Sequence, residues 1–154
     1  ACATSDRGAC HLRSTFYKAE LAGMIPSDQI EGKAKLFLEF EDRFNIHDSL
    51  ILCRFYRDIY WDWNYLSTIV EVTTGLKLDE ARLRKISSNI QNETRRFNLR
   101  EGITQKDDTL PKRFFDEPLG KEEKTIKRED LQKMLQDYYA LRGWSSQGIP
   151  PLPR

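Results

Sequence analysis

Two histidines and three cysteines are the side chains of this 154-residue sequence best suited to binding metal or moving protons. His11 follows Cys10 directly and sits among Asp6, Arg7 and Arg13. An imidazole near its ordinary pKa can pass a proton or donate a hydrogen bond to a polar substrate. A plain polar turn histidine carries the same signature. His11 and His47 do not stand at a metal-ligand spacing. Cys2, Cys10 and Cys53 are too far apart for a CxxC site, and three cysteines make neither a disulfide scaffold nor a four-cysteine cluster. Reduced thiols in a cytoplasmic setting are the expectation. Cys53 lies in an apolar run from Leu50 to Tyr56, so it reads first as a small buried hydrophobe. A thiolate there would need a metal or cluster to offset desolvation of its charge. Asp48 reads as the N-cap of a following helix, and carboxylate plus helix start can also wall a polar pocket. Asp107 and Asp108 are neighbours in a loop. They do not define a glycosidase pair and read as turn or surface-packing residues. The sequence holds no phosphate loop, HExxH or serine elbow.

Helices must position these groups. Pro26 and Ser27 are start signals, and Leu36, Phe37, Phe40 and Phe44 recur at helical spacing, with an end expected near Asn45 and His47. The run 50–56 lacks alternation and follows Asp48, which favours a buried helix over a strand. Residues 60–72 carry two tryptophans and end before Thr73, Thr74 and Gly75. Asp79 precedes a long helix over 80–98, with Leu83, Ile86, Ile90 and Phe97 on one face and Arg82, Lys85, Gln91 and Arg95 mostly facing water. A last helix over 129–142 turns Leu131, Met134, Leu135, Tyr138 and Leu141 inward. Gly143 is its C-cap, and Trp144 can fold back. Between these helices, 100–120 is punctuated by Gly102, Pro111, Pro118 and Gly120. Such a long ordered loop often serves function or wraps a partner. The fold class is all-α, an irregular domain of about four to five helices.

Composition narrows the partners. Twenty-five basic and 24 acidic side chains leave a formal charge of +1, with no electrostatic reason to expect nucleic acid or an anionic membrane. No apolar run approaches the ~18 residues of a membrane span. The opening lacks Met and reads as the middle of something longer.

Four stretches in order resemble the C-terminal part of the tungsten-dependent aldehyde ferredoxin oxidoreductases: ATSDRGACHLR at 3–13, DSLILCRF at 48–55, ETRRFNLREGITQKDDTLPKRF at 93–114 and DYYALRGWSSQGIP at 137–150. The resemblance implies one C-terminal helical domain over 1–154, with 1–24 a possible remnant of the preceding domain. It implies an oxidoreductase that converts aldehydes to carboxylic acids. Electrons would pass through a tungsten–bis-pterin site and a [4Fe–4S] cluster to ferredoxin. The family's D-x-x-G-L-C pattern falls on Asp48 to Cys53. By resemblance, Asp48 would hydrogen-bond pterin ring nitrogens, Leu52 would contact the pterin through its backbone, and Cys53 would ligate cluster iron. His11 would stand near tungsten and substrate. Ile51 departs from the pattern's glycine and adds bulk where a ligand would approach. The tail's GWSS lacks the expected aspartate after tryptophan. The other cluster cysteines, the other pterin motif and the N-terminal sheet domain are missing. The chain alone is therefore expected to bind neither cofactor and to need an N-terminal portion or separate subunit. The alternative is a non-catalytic helical module that keeps the family fold.

Overall fold

A computed structural model describes residues 1–118 and 124–152. Gly120, part of the charge-rich run at 121–123, and the last two residues of the proline-rich tail lie outside the described residues. Among the described residues the regular structure is helical: α1 (Tyr17–Leu21), α2 (Lys33–Ser49), α3 (Trp63–Thr74), α4 (Glu80–Arg100), α5 (Arg113–Asp116) and α6 (Arg128–Arg142). Short 3-10 turns occupy Cys2–Thr4, Arg54–Tyr56 and Gln105–Asp107. The fold is all-α as expected. Two of the six helices are only five and four residues long, and α5 interrupts the expected 100–120 loop.

α2 is the central helix and packs on α3, α4 and α6. Its Phe37, Phe40 and Phe44 meet Phe16, Leu135 and Tyr138 in one apolar cluster. Ile46 meets Trp63, Leu66 and Leu83 in a second. α2 begins later than Pro26 and Ser27 suggest. Gly32 adopts a left-handed backbone (φ 77°) just before Lys33, so no helix runs through it. The Ser27 carbonyl instead accepts from Lys33 Nζ at 2.6 Å, and the same ammonium pairs with Glu20 at 2.8 Å. α2 also continues through Asn45 and His47, both buried.

α3 and α4 start where local chemistry says they should. Asp62 accepts from the Asn64 N–H at 2.7 Å, and Asp79 accepts from the Arg82 N–H at 2.9 Å. The inward face of α4 differs from expectation. Leu83 is buried, but so are Ser87, Gln91, Asn92 and Arg95, whereas Ile86 and Phe97 are exposed. The reason lies on the facing elements, which bury polar groups of their own. Asn45 Nδ2 donates to Ser87 Oγ at 3.1 Å, Ser87 Oγ donates to Asp42 at 2.9 Å, and Trp144 Nε1 donates to Asn92 at 2.6 Å. Arg95 forms a two-pronged bond with Asp108 at 2.8 and 2.6 Å. Asp108 is therefore a buried ion-pair partner rather than a surface residue. Asp107 instead closes a capping box with Thr104.

In α6, Leu135 and Tyr138 point inward as expected, while Leu141 is exposed and Arg142 takes the inward place. Arg142 pairs with Glu41 at 2.5 Å and Asp42 at 2.7 Å, and Tyr138 Oη donates to Glu41 at 2.6 Å. A buried charge needs such pairing, because alone it carries a large desolvation cost. Gly143 ends α6 with φ 69°, and Trp144 folds back to stack on Tyr139 at 6.0 Å between centroids.

Candidate functional site

The segment 50–56 is not an α-helix, carries only the 3-10 turn at its end, and is not buried. The Ile51 N–H donates to the Asp48 carbonyl at 3.1 Å, and the Leu52 N–H reaches back to the His47 carbonyl at 2.9 Å. These two bonds form a Schellman helix stop, with Ile51 as the left-handed residue just past the C-cap (φ 58°). Leu52 supplies the apolar contact that accompanies such stops, packing on the cluster that contains Ile46. The same bond pair ends α1 at Gly23, α4 at Gly102 and α6 at Gly143. Of these four stops among the described residues, only that of α2 has a side-chain-bearing residue in the left-handed place, and there it is β-branched. The Ile51 side chain is 92 % exposed and Phe55 is 88 % exposed. The expected buried helix fails because the stop turns the chain outward at Ile51.

Asp48 consequently stands in the last turn of α2 and does not cap a following helix. A carboxylate near a helix C-terminus opposes the helix dipole, so it needs positive charge close by. Two arginines supply it. Arg54 grips Asp48 with Nε on Oδ1 at 3.0 Å and Nη2 on Oδ2 at 2.6 Å. Arg13 Nη1 bonds the same Oδ2, and Arg13 Nη2 pairs with Asp6 at 2.7 Å. Three donors thus reach Asp48. Of about four acceptor positions on a carboxylate, one on Oδ1 remains for another donor.

Cys53 is exposed, immediately past the helix stop. His11 is exposed and lies tilted against Tyr17, with ring centroids 6.0 Å apart. Arg54 Nη1 donates to the Arg13 carbonyl at 3.0 Å, so the segment carrying His11 is bonded to the segment carrying Asp48, Leu52 and Cys53. Beside them, the Arg7 guanidinium donates to Cys10 Sγ at 3.3 Å and holds that thiol below its ordinary pKa. Sequence reasoning singled out Asp48, Leu52, Cys53 and His11 but not the roles of Arg13 and Arg54. Arg13 and Asp48 are 35 positions apart, and no local pattern signals that they meet.

Among the described residues, no group of three or more His, Cys, Asp or Glu side chains is arranged to hold a metal ion. As a donor set, the site offers one exposed thiol, Cys53, and one carboxylate, Asp48, with an acceptor position still open.

A family model described as aldehyde ferredoxin oxidoreductase, domains 2 and 3, matches residues 1–153. The chain belongs to the aldehyde ferredoxin oxidoreductase family. The tungsten-containing aldehyde ferredoxin oxidoreductase of Pyrococcus furiosus is 33 % identical over 97 % of this chain and 25 % of its own length. The protein of the same description from Thermococcus kodakarensis is 32 % identical over the same shares. The chain thus spans about a quarter of the length of these aldehyde ferredoxin oxidoreductases. The active-site complex BamBC of benzoyl coenzyme A reductase, solved with 1,5-dienoyl-CoA, shares the fold. It has a TM-score of 0.62 and 22 % identity, over 82 % of this chain and 19 % of that one. No helix among the described residues is long and apolar enough to cross a membrane.

Proposed function

We propose that this chain is the C-terminal helical part of an oxidoreductase that converts aldehydes to carboxylic acids and passes the electrons to ferredoxin. The single observation that carries the reading is the exposed thiol of Cys53 at the stop of α2, bonded through its neighbour Arg54 to Asp48 and to the segment of His11. When bound, a tungsten–bis-pterin group would supply the two-electron oxidation, and a [4Fe–4S] cluster would carry the electrons away. Cys53 would be one iron ligand. Asp48, already held by two arginines, would offer its remaining Oδ1 position to a pterin ring N–H. Leu52 would present its backbone to the same ring. His11 would orient the aldehyde oxygen or move a proton. One thiolate cannot hold a [4Fe–4S] cluster, which takes cysteines in a set of four. The remaining ligands would come from an N-terminal portion or a separate subunit, in a reducing cytoplasmic compartment. The run of exposed apolar side chains Ile51, Phe55, Tyr56 and Ile59 beside Cys53 supports the presence of such a neighbour.

Co-expression with a chain that carries the other cysteines, followed by iron and tungsten analysis, tests the reading. Stoichiometric iron is expected, with Cys53→Ser abolishing or destabilising the cluster. An unchanged cluster in that variant would reject Cys53 as an essential ligand. The 154-residue chain alone is expected to show no cluster absorption band and no aldehyde turnover.

Ile51 favours a second reading, a non-catalytic helical module. A branched side chain stands where the resemblance expects glycine, and it would add bulk where a ligand approaches. Absence of metal from the co-expressed assembly would favour that module.

A further inference from the structure

We propose that Arg54 is a positioning residue, a clamp that fixes the segment 10–14 and the Cys53 turn in one register at the end of α2. The part of the proposal that concerns cofactor rests on the reading just given; the clamp itself stands on geometry. Three of the five guanidinium N–H groups are spent on two partners far apart in sequence: two on the Asp48 carboxylate and one on the Arg13 carbonyl. The guanidinium plane also lies against the Phe44 ring, with Cζ 4.2 Å from its centroid. Its backbone carbonyl accepts from Arg57 Nη1 at 2.6 Å, which anchors the far side of the turn.

The stop of α2 fixes Asp48 through Leu52 by local backbone bonds, but it does not reach the N-terminal segment. The Arg13 side chain makes that connection too, yet Arg13 divides its guanidinium between Asp6 and Asp48 and leaves its own carbonyl to Arg54. Arg54 is thus the residue that touches both the helix end and the backbone beside His11, while being covalently next to Cys53. Lysine could keep the charge. It could not hold a two-pronged carboxylate bond and a carbonyl bond together, because an ammonium lacks the planar fork.

Arg54→Lys and Arg54→Ala, each examined by amide hydrogen exchange in the 154-residue chain, test the clamp. Exchange of the Leu52 and Tyr56 amides, bonded to the His47 and Cys53 carbonyls, and of the Lys18 amide, bonded to the Thr15 carbonyl just past the clamped segment, is expected to accelerate by about tenfold or more in both variants, with α4 and α6 unchanged. Uniform acceleration through all helices would overturn the proposal, since Arg54 would then be a general stabiliser. So would restoration of wild-type exchange by lysine. In the co-expressed assembly, iron content and the electron paramagnetic resonance signal of the reduced protein give a second readout. Altered cluster signal or lower iron in Arg54→Lys, with wild type loaded, supports positioning toward the cofactor, and an unaltered signal overturns it. Iron-free wild type would reject the cofactor reading while leaving the exchange result to decide the clamp.

Discussion

Ile51 shows how a residue can be wrong for its backbone and still be in place. A left-handed conformation costs an L-residue roughly 1–2 kcal/mol, and β-branching makes it a true outlier. The stop is retained because both of its hydrogen bonds form and Leu52 is held in an apolar cluster. Ile51→Gly is therefore expected to stabilise the chain by about 1 kcal/mol, after the added chain entropy of glycine is subtracted. A higher urea midpoint at unchanged slope would confirm it; a lower midpoint would mean that the exposed side chain makes a stabilising contact. At this scale the sequence displayed the candidate groups, because Asp48, Cys53 and His11 are recognisable by type. It hid the arginines that hold them, because those contacts exist only after α2 and the N-terminal segment meet.

Among the helices, the start of α4 was more legible than its faces, whereas α2 begins well past the start signals at Pro26 and Ser27. Asp62 and Asp79 are caps whose partners lie two and three residues away, so the sequence alone contains the whole interaction. Asp79→Ala should cost about 1 kcal/mol, read as a lower thermal midpoint, and a neutral result would mean that α4 frays at its start in any case. Faces depend on what lies opposite. Arg95 reads as a solvent residue until Asp108 and the Gly148 carbonyl, 3.0 Å from its Nε, are brought to it. The same holds for Arg142, which displaced Leu141 from the expected interior. Removing its charge by Arg142→Met would leave Glu41 and Asp42 buried without their cation. A loss of about 3–5 kcal/mol is expected, and a loss under about 1 kcal/mol in urea unfolding would show that those carboxylates find water or protons easily.

For the molecule as a whole, acid is the condition that tests the packing. His47 is fully buried, with Nε2 donating to the Tyr60 carbonyl at 2.9 Å and Nδ1 without a partner among the described residues. Burial pushes its pKa below the ordinary value, which is about 6.5. Below that pH the unfolded chain takes up the proton first. The stabilising contribution of His47 is therefore complete above about 6.5 and is lost as pH falls toward the lower folded value. Glu39, bonded by Arg84 at 2.8 Å, is held below its ordinary pKa and adds a further loss once pH drops below about 4.3. Urea midpoints should fall between pH 7.5 and 5, and His47→Gln should flatten that first decline. A decline of the same size in the variant would place its origin elsewhere.

The helix stop at Ile51 also changes how the family pattern is to be used for finding related chains. By the resemblance, the glycine of D-x-x-G-L-C would hold the left-handed place that Ile51 holds here, and the leucine that follows would make the anchoring contact that Leu52 makes. A pattern written as residue letters overlooks a chain in which isoleucine performs the same turn. Written as geometry, it becomes a reversed-handed residue between a helical aspartate and a leucine packed against the core. Asparagine, which tolerates that conformation better than other side chains, is then the next substitution to look for at this position in distant relatives.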